Sequence, residues 1–295
     1  MMDHLSFHND RIVPLEEVQL SPGQAGLLTG WGVFTTLRIY RGVPFAFERH
    51  WARMVRDASR LEVSMGQNQE NVRTAIVELA RANQRAEGMA RVSVVKNTGG
   101  LWAEAGGRQA SDLLIFTRDL PRWPAAHRLR IEPVGIFSAS RYAGTKMLSW
   151  VPHAAVLERA HADGFDDAVL LNEKGQLAEC TSANIFLARE GKALTPPLSS
   201  GCLAGITREI LWEIAPAAGI ELREQELTTQ DLSDAEEVFI SSTTREVAAV
   251  ESISPTWKFQ APGKVTEALD QAFQEYVKFS LNRESSQRVV PNPLE

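Results

Sequence analysis

The chain has 295 residues, 44% hydrophobic and 23% charged, with a formal net charge of −6; that composition supports an ample core and excludes the clustered Lys and Arg that nucleic-acid contact requires. Two cysteines, Cys180 and Cys202, exclude a disulfide framework and suit a reducing compartment. Met1-Met2-Asp3-His4 carries neither a basic n-region nor an apolar h-region, and no run of about 18 apolar residues occurs, so the expectation is a cytoplasmic protein with no signal peptide and no membrane span.

In chain order, Val33–Tyr40 alternates as a strand, and Arg41-Gly42 turns it into Val43-Pro44-Phe45. Residues 48–61 become helical, with Trp51, Met54, Val55, Ala58 and Leu61 at i, i+3, i+4 spacing. A second helix is predicted over 71–85, then strands over 90–95 and 113–117. Pro121 and Pro124 mark a connection. The second half alternates: strand 128–134, helix 151–162, strands 167–171, 176–179 and 184–188, a helix opening at Gly205, strands 220–224 and 237–241, and a helix over 264–281. The reading is thus a mixed α/β (α+β) protein with a small domain 1–120, a connection 121–127, a large domain 128–283 and a flexible tail 284–295.

Four segments place reactive or anion-binding groups on loops and strand ends. In Ser140–Lys146 a lone lysine follows small residues; only seven of the 31 basic residues are lysines, so candidates for an amine nucleophile are few. A desolvated lysine has a lowered pKa and attacks carbonyls, whereas the ordinary reading of a loop lysine is a solvated one. Glu179 ends an apolar strand before Cys180-Thr181-Ser182, where an exposed turn carboxylate is the simpler reading. Leu203-Ala204-Gly205-Ile206-Thr207 enters an amphipathic helix whose free N–H groups can cradle a phosphate, although Thr207 also reads as an N-cap. Ser241-Ser242-Thr243-Thr244-Arg245-Glu246 offers hydroxyls past a strand end, and equally a plain turn.

The order of these segments resembles the fold-type IV, or class IV, aminotransferases, a group of pyridoxal-phosphate (PLP) enzymes that includes branched-chain aminotransferases, D-amino-acid aminotransferases and aminodeoxychorismate lyases. The likeness runs from Asn9 to Val250, most specifically in Glu179–Asn184, Gly205–Arg208 and Ser242–Glu246. It implies two domains with PLP in the cleft between them. Lys146 matches the Schiff-base lysine that also moves the substrate's Cα proton, and Glu179 the carboxylate against the pyridine nitrogen. Ile206, Thr207, Ser242 and Thr243 match phosphate donors, and Arg53 of His50-Trp51-Ala52-Arg53 matches the phosphate-pairing arginine.

For the substrate, Thr35 lies in a Phe-Thr-Thr stretch resembling the lyase's substrate-facing strand. Arg91 matches the strand position where branched-chain enzymes place a carboxylate-pairing arginine. Trp31 replaces the acid of a Gly-Asp-Gly motif and is read either as shaping the pocket or as packing between the domains. The resemblance further implies a homodimer whose partner lends a loop around 100–109, which makes Arg108 a candidate substrate contact. Leu101 stands where lyases carry an arginine, and the Ser242–Glu246 run is more aminotransferase-like. The preferred activity is therefore transfer of an amino group between a small amino acid and a 2-keto acid, with aminodeoxychorismate lyase as the alternative and a non-catalytic binding protein as a remote one. The six histidines show no metal-ligand spacing, so no metal is expected.

Overall fold

The computed structural model describes residues 1–100, 109–254 and 256–287. The first half forms one antiparallel sheet of β1 (Met2–His8), β2 (Arg11–Pro14), β3 (Gly32–Tyr40), β4 (Val43–Pro44), β5 (Gly88–Lys96) and β6 (Ser111–Arg118), in the order β2-β1-β6-β5-β3-β4. Short α1 (Ala25–Thr29) precedes β3, while α2 (Phe47–Arg60) and α3 (Gln69–Ala82) follow the β3–β4 turn. Val33, Leu37 and Ile39 of β3 and Ala90, Val92 and Val94 of β5 bury one sheet face against Phe47, Met54 and Ala58 of α2 and Ile76 and Leu79 of α3.

The opposite parity of the same strands, Phe34 and Thr36 on β3 with Met89 and Arg91 on β5, faces a cleft. Strand geometry alone separates the two sets, since successive side chains point to opposite faces.

The second sheet contains β7 (His127–Ile136), β8 (Asp167–Asn172), β9 (Leu177–Cys180), β10 (Asn184–Arg189), β11 (Lys192–Thr195), β12 (Glu221–Glu224), β13 (Glu237–Ser242) and β14 (Glu246–Ser254), ordered β12-β11-β10-β13-β14-β7-β8-β9, with β15 (Trp257–Lys258) beside β14. β14, β7 and β8 run parallel, as do β11 and β12. α4 (Val151–Ala162), α5 (Ile206–Ile214), α6 (Asp231–Asp234) and α7 (Lys264–Gln287) complete it. Phe186 and Phe239 stack at 4.7 Å on the face covered by α5 and α7, and Ile185, Val238 and Ile240 build a second core on the other face. The Glu237 carboxylate caps α7, accepting from the Val265 and Thr266 amides at 3.0 and 2.9 Å. This last helix runs on to Gln287, past the 281 expected from sequence.

Candidate active site

Lys146 sits on a strap that crosses from the second half back onto β3. Its carbonyl accepts from the Phe34 amide at 3.1 Å, Met147 bridges Val33, and the Leu148 amide donates to Gly32 at 2.9 Å. The Lys146 amide donates to Asp57 Oδ2 of α2 at 3.0 Å. Gly32 is required for this closeness, because a Cβ there would lie 2.4 Å from the Val94 carbonyl oxygen and 2.5 Å from Leu148 Cδ1.

The strap, β3 and β5 form one wall of a cavity of about 460 Å³, and Glu179, Thr181–Asn184, Leu203, Gly205–Thr207 and Ser241–Arg245 form the other. At one end α5 begins at Gly205 with no side-chain cap, so its first N–H groups have no intrahelical partner. A Cβ on Gly205 would meet Asn184 Oδ1 at 2.1 Å; that Asn184 in turn donates to Leu203 O, fixing the loop before the helix. Arg53 reaches the same end, donating from Nη1 to Ala204 O at 3.2 Å and from Nη2 to Thr35 Oγ1 at 3.0 Å. Arg53 Nε, Ser241 Oγ and Thr145 Oγ1 are buried with no hydrogen-bond partner. Sealed donors and hydroxyls around a bare helix start are the chemistry of a phosphate cradle. A larger groove of about 850 Å³ between α2, α3 and α7 lacks this character, since its charges pair with one another, as in Arg49 with Glu213.

Burial pushes the Lys146 amine down from its ordinary value, helped by the guanidiniums of Arg53 and Arg91. Burial likewise raises the Glu179 carboxyl, against the stabilising Leu203 amide (3.1 Å) and Lys146 charge. Arg53 is drawn down to about 10, chiefly by burial. His50, 1% exposed, is pushed well below its usual range by burial and by Arg53 and Lys146, so it is neutral against Thr35 Oγ1 at 2.7 Å.

The structure therefore brings Lys146, Glu179, Arg53, Ile206, Thr207, Ser242, Thr243 and Arg91 to one cavity. The Arg91 guanidinium lies 3.7 Å over the Phe34 ring, and among the described residues no carboxylate pairs with it. Two expectations fail. Thr35 does not face the cavity: strand parity points its hydroxyl at His50 and Arg53, and Phe34 and Thr36 face the cleft instead. Among the described residues Trp31 does not line the cavity; its Nε1 donates to Leu61 O at 2.8 Å, the Lys96 ammonium caps its ring at 3.8 Å, and it packs on the first core. Arg108 lies outside the described residues.

The sequence named Ser241 and Thr145 only within their segments and did not single out Asp57 or His153 for the site; His153 lines the cavity with its ring on Trp150. Only the hydroxyl run at 241–244 carried a local hint of the first.

The family described as amino-transferase class IV matches residues 32–253. A putative branched-chain-amino-acid aminotransferase of Methanocaldococcus jannaschii is 29% identical over 90% of this chain and 94% of its own. The D-alanine aminotransferase of Bacillus licheniformis is 25% identical, covering 91% and 95%. The branched-chain aminotransferase of Thermoproteus uzoniensis, solved with norvaline, superposes with a TM-score of 0.86 at 25% identity, over 95% of this chain and 97% of that one. The lyase alternative gains no support from these relatives. With three quarters of its length matched and its two-sheet architecture shared, the chain belongs to the class IV aminotransferases and is an enzyme that uses PLP.

Proposed function

We propose that the protein is a PLP-dependent aminotransferase that moves an amino group between a small amino acid and a 2-keto acid. The observation that carries this reading is the placement of the Lys146 amine and the Glu179 carboxyl in one buried cavity whose end holds unpaired phosphate-binding groups. Lys146 Nζ is the attachment point for the cofactor's aldehyde carbon. Arg53, the Ile206 and Thr207 amides at the start of α5, the Thr207 hydroxyl, Ser242 and Thr243 would hold its phosphate, and Glu179 would face its ring nitrogen.

The bound cofactor supplies an electron-withdrawing ring that lets the substrate's Cα–H ionise. Lys146, depressed by burial, is a base at neutral pH and carries the proton from and to Cα. The Glu179 carboxylate, held by the Leu203 amide, would favour a protonated ring nitrogen by its opposite charge. Arg91, unpaired and stacked on Phe34, takes a substrate carboxylate, for which a planar guanidinium is suited. Phe34 and Trp150 line the site with apolar surface that excludes water.

The working unit is a homodimer in the cytoplasm. Among the described residues no helix is long and apolar enough to cross a membrane.

The test is turnover of the PLP-loaded protein with L- and D-amino acids and 2-oxoglutarate or pyruvate, beside aminodeoxychorismate. Keto acid formed from an amino donor, and lost in Lys146→Ala, is the expected result. Release of p-aminobenzoate without any amino transfer would overturn it.

A further inference from the structure

Asp57 is 1% exposed on α2, one turn after Arg53. Its Oδ1 accepts from Arg56 Nε and Nη2 at 3.0 and 2.8 Å, while its Oδ2 accepts the Lys146 amide. On the same helix Arg60 Nη2 donates to the carbonyls of Arg141 and Ala143, at 2.8 and 3.2 Å. α2 thus grips the segment leading into Lys146 as well as Lys146 itself, and β3 grips its other peptide group through Phe34.

One amide N–H needs only a neutral acceptor. A sealed carboxylate costs several kcal/mol of desolvation that an Asn or Ser would avoid. The direct counterpart of this charge is Arg56, at 2.8 Å, and beyond that pair Asp57 is the leading opposite charge acting on buried Arg53 and one of two acting on Lys146. The charged and titratable groups facing this point are Arg53, Arg56 and His50 from α2, Arg91 from β5, His153 from α4, Glu179 from β9 and Glu209 from α5. Without Asp57, the guanidiniums of Arg53 and Arg91 would bear on the lysine with Glu179 as the remaining counterweight.

We propose that Asp57 is a positioning residue for the reaction: its buried carboxylate fixes the main chain of Lys146 and offsets Arg53, so that the lysine amine stays placed and protonatable while the phosphate arginine remains charged. This rests on the assignment of Lys146 as the attachment lysine. A long side chain with free torsions is aimed by its Cα, and here both peptide groups flanking that Cα are held from the first sheet and its helix.

The test compares wild type, Asp57→Asn, Arg56→Ala and Lys146→Ala as PLP-loaded protein, reading the pH midpoint of the visible absorbance change, the melting temperature, and kcat and KM separately. Asp57→Asn keeps the acceptor and removes the charge. It is expected to lower the midpoint by about half a unit or more and to lower kcat about tenfold, with KM within about threefold. Arg56→Ala, on a half-exposed side chain, leaves the fold intact and is expected to raise the midpoint, because Asp57 loses its surface counter-ion. If Asp57→Asn does not fold, the Arg56→Ala shift decides: a rise supports the proposal and no shift overturns it. A Lys146-dependent band whose midpoint and kcat ignore Asp57→Asn overturns this proposal alone. A band that survives in Lys146→Ala overturns the attachment assignment and this proposal with it.

Discussion

Arg245 Nη2 lies 3.0 Å from Asp167 Oδ2, and the two side chains are only 2% and 0% exposed. Asp167 also accepts from the Thr181 amide and hydroxyl and from Ser182 Oγ, while Arg245 Nη1 donates to Ser182 at 2.8 Å. The guanidinium lies 4.0 Å over Trp123, whose Nε1 donates to Thr244 O. One buried pair therefore ties together the turn after β9, the turn after β13 and the connection between the halves, all of which reach the cavity.

Asp167→Asn leaves Arg245 as an uncompensated buried charge. The expected cost is about 3–5 kcal/mol of stability, since breaking one side of a buried pair is worse than never having it. Denaturant unfolding of the two proteins checks this; a loss below about 1 kcal/mol would mean that water reaches the pair.

Glu179→Gln keeps the shape and the Leu203 contact but removes the carboxylate proposed to face the ring nitrogen. PLP retention is expected to hold while turnover falls by orders of magnitude, about 10² or more. Stopped-flow half-reactions with an amino donor separate the two; near-normal rates would move the ring-nitrogen contact elsewhere.

Arg53→Ala removes the arginine at the helix start. PLP affinity is expected to weaken about 10- to 100-fold, the loss of a charge-assisted hydrogen bond. Equilibrium dialysis against PLP measures it. Because Arg53 also holds Thr35, Arg53→Lys serves as the control that keeps charge and loses the fork.

Acid lability follows from two histidines. His127 is fully buried, with no hydrogen-bond partner for either ring nitrogen among the described residues, and burial and Arg245 hold it at about 4; burial also pushes His50 well below its ordinary value. A group depressed on folding binds its proton in the unfolded chain first, so its contribution to stability is present above about pH 6.5 and is lost as pH falls from there towards 4. For His127 that amounts to as much as about 3 kcal/mol. His127→Leu should flatten the fall in melting temperature across pH 6.5 to 4, and an unchanged slope would assign the lability to other groups.

Much of the fold was legible locally. α4 spans the predicted 151–162, and the β3 and β5 predictions fall within one or two residues of the strands, because their periodicity is strong. The β1–β2 hairpin, β11 and β14 were not read, and β14 shows why: it pairs with β13, β7 and β15, so its partners decide it more than its own pattern does.

By itself the sequence determined the reagents: a scarce lysine after a small-residue loop, a carboxylate at a strand end, a glycine before a helix and a hydroxyl run, in one family's order. Tertiary structure alone decided which of them face the cavity. The first four residues of β3 are buried on both faces, so apolar content there could not separate Phe34 from Thr35; the parity was settled when α2 and α3 covered one face. Tertiary packing also carried Asp57 to Lys146 across 89 residues and Asp167 to Arg245 across 78, contacts that no local spacing encodes, because the first depends on where α2 meets the strap and the second on how the second sheet brings the β13–β14 turn to β8.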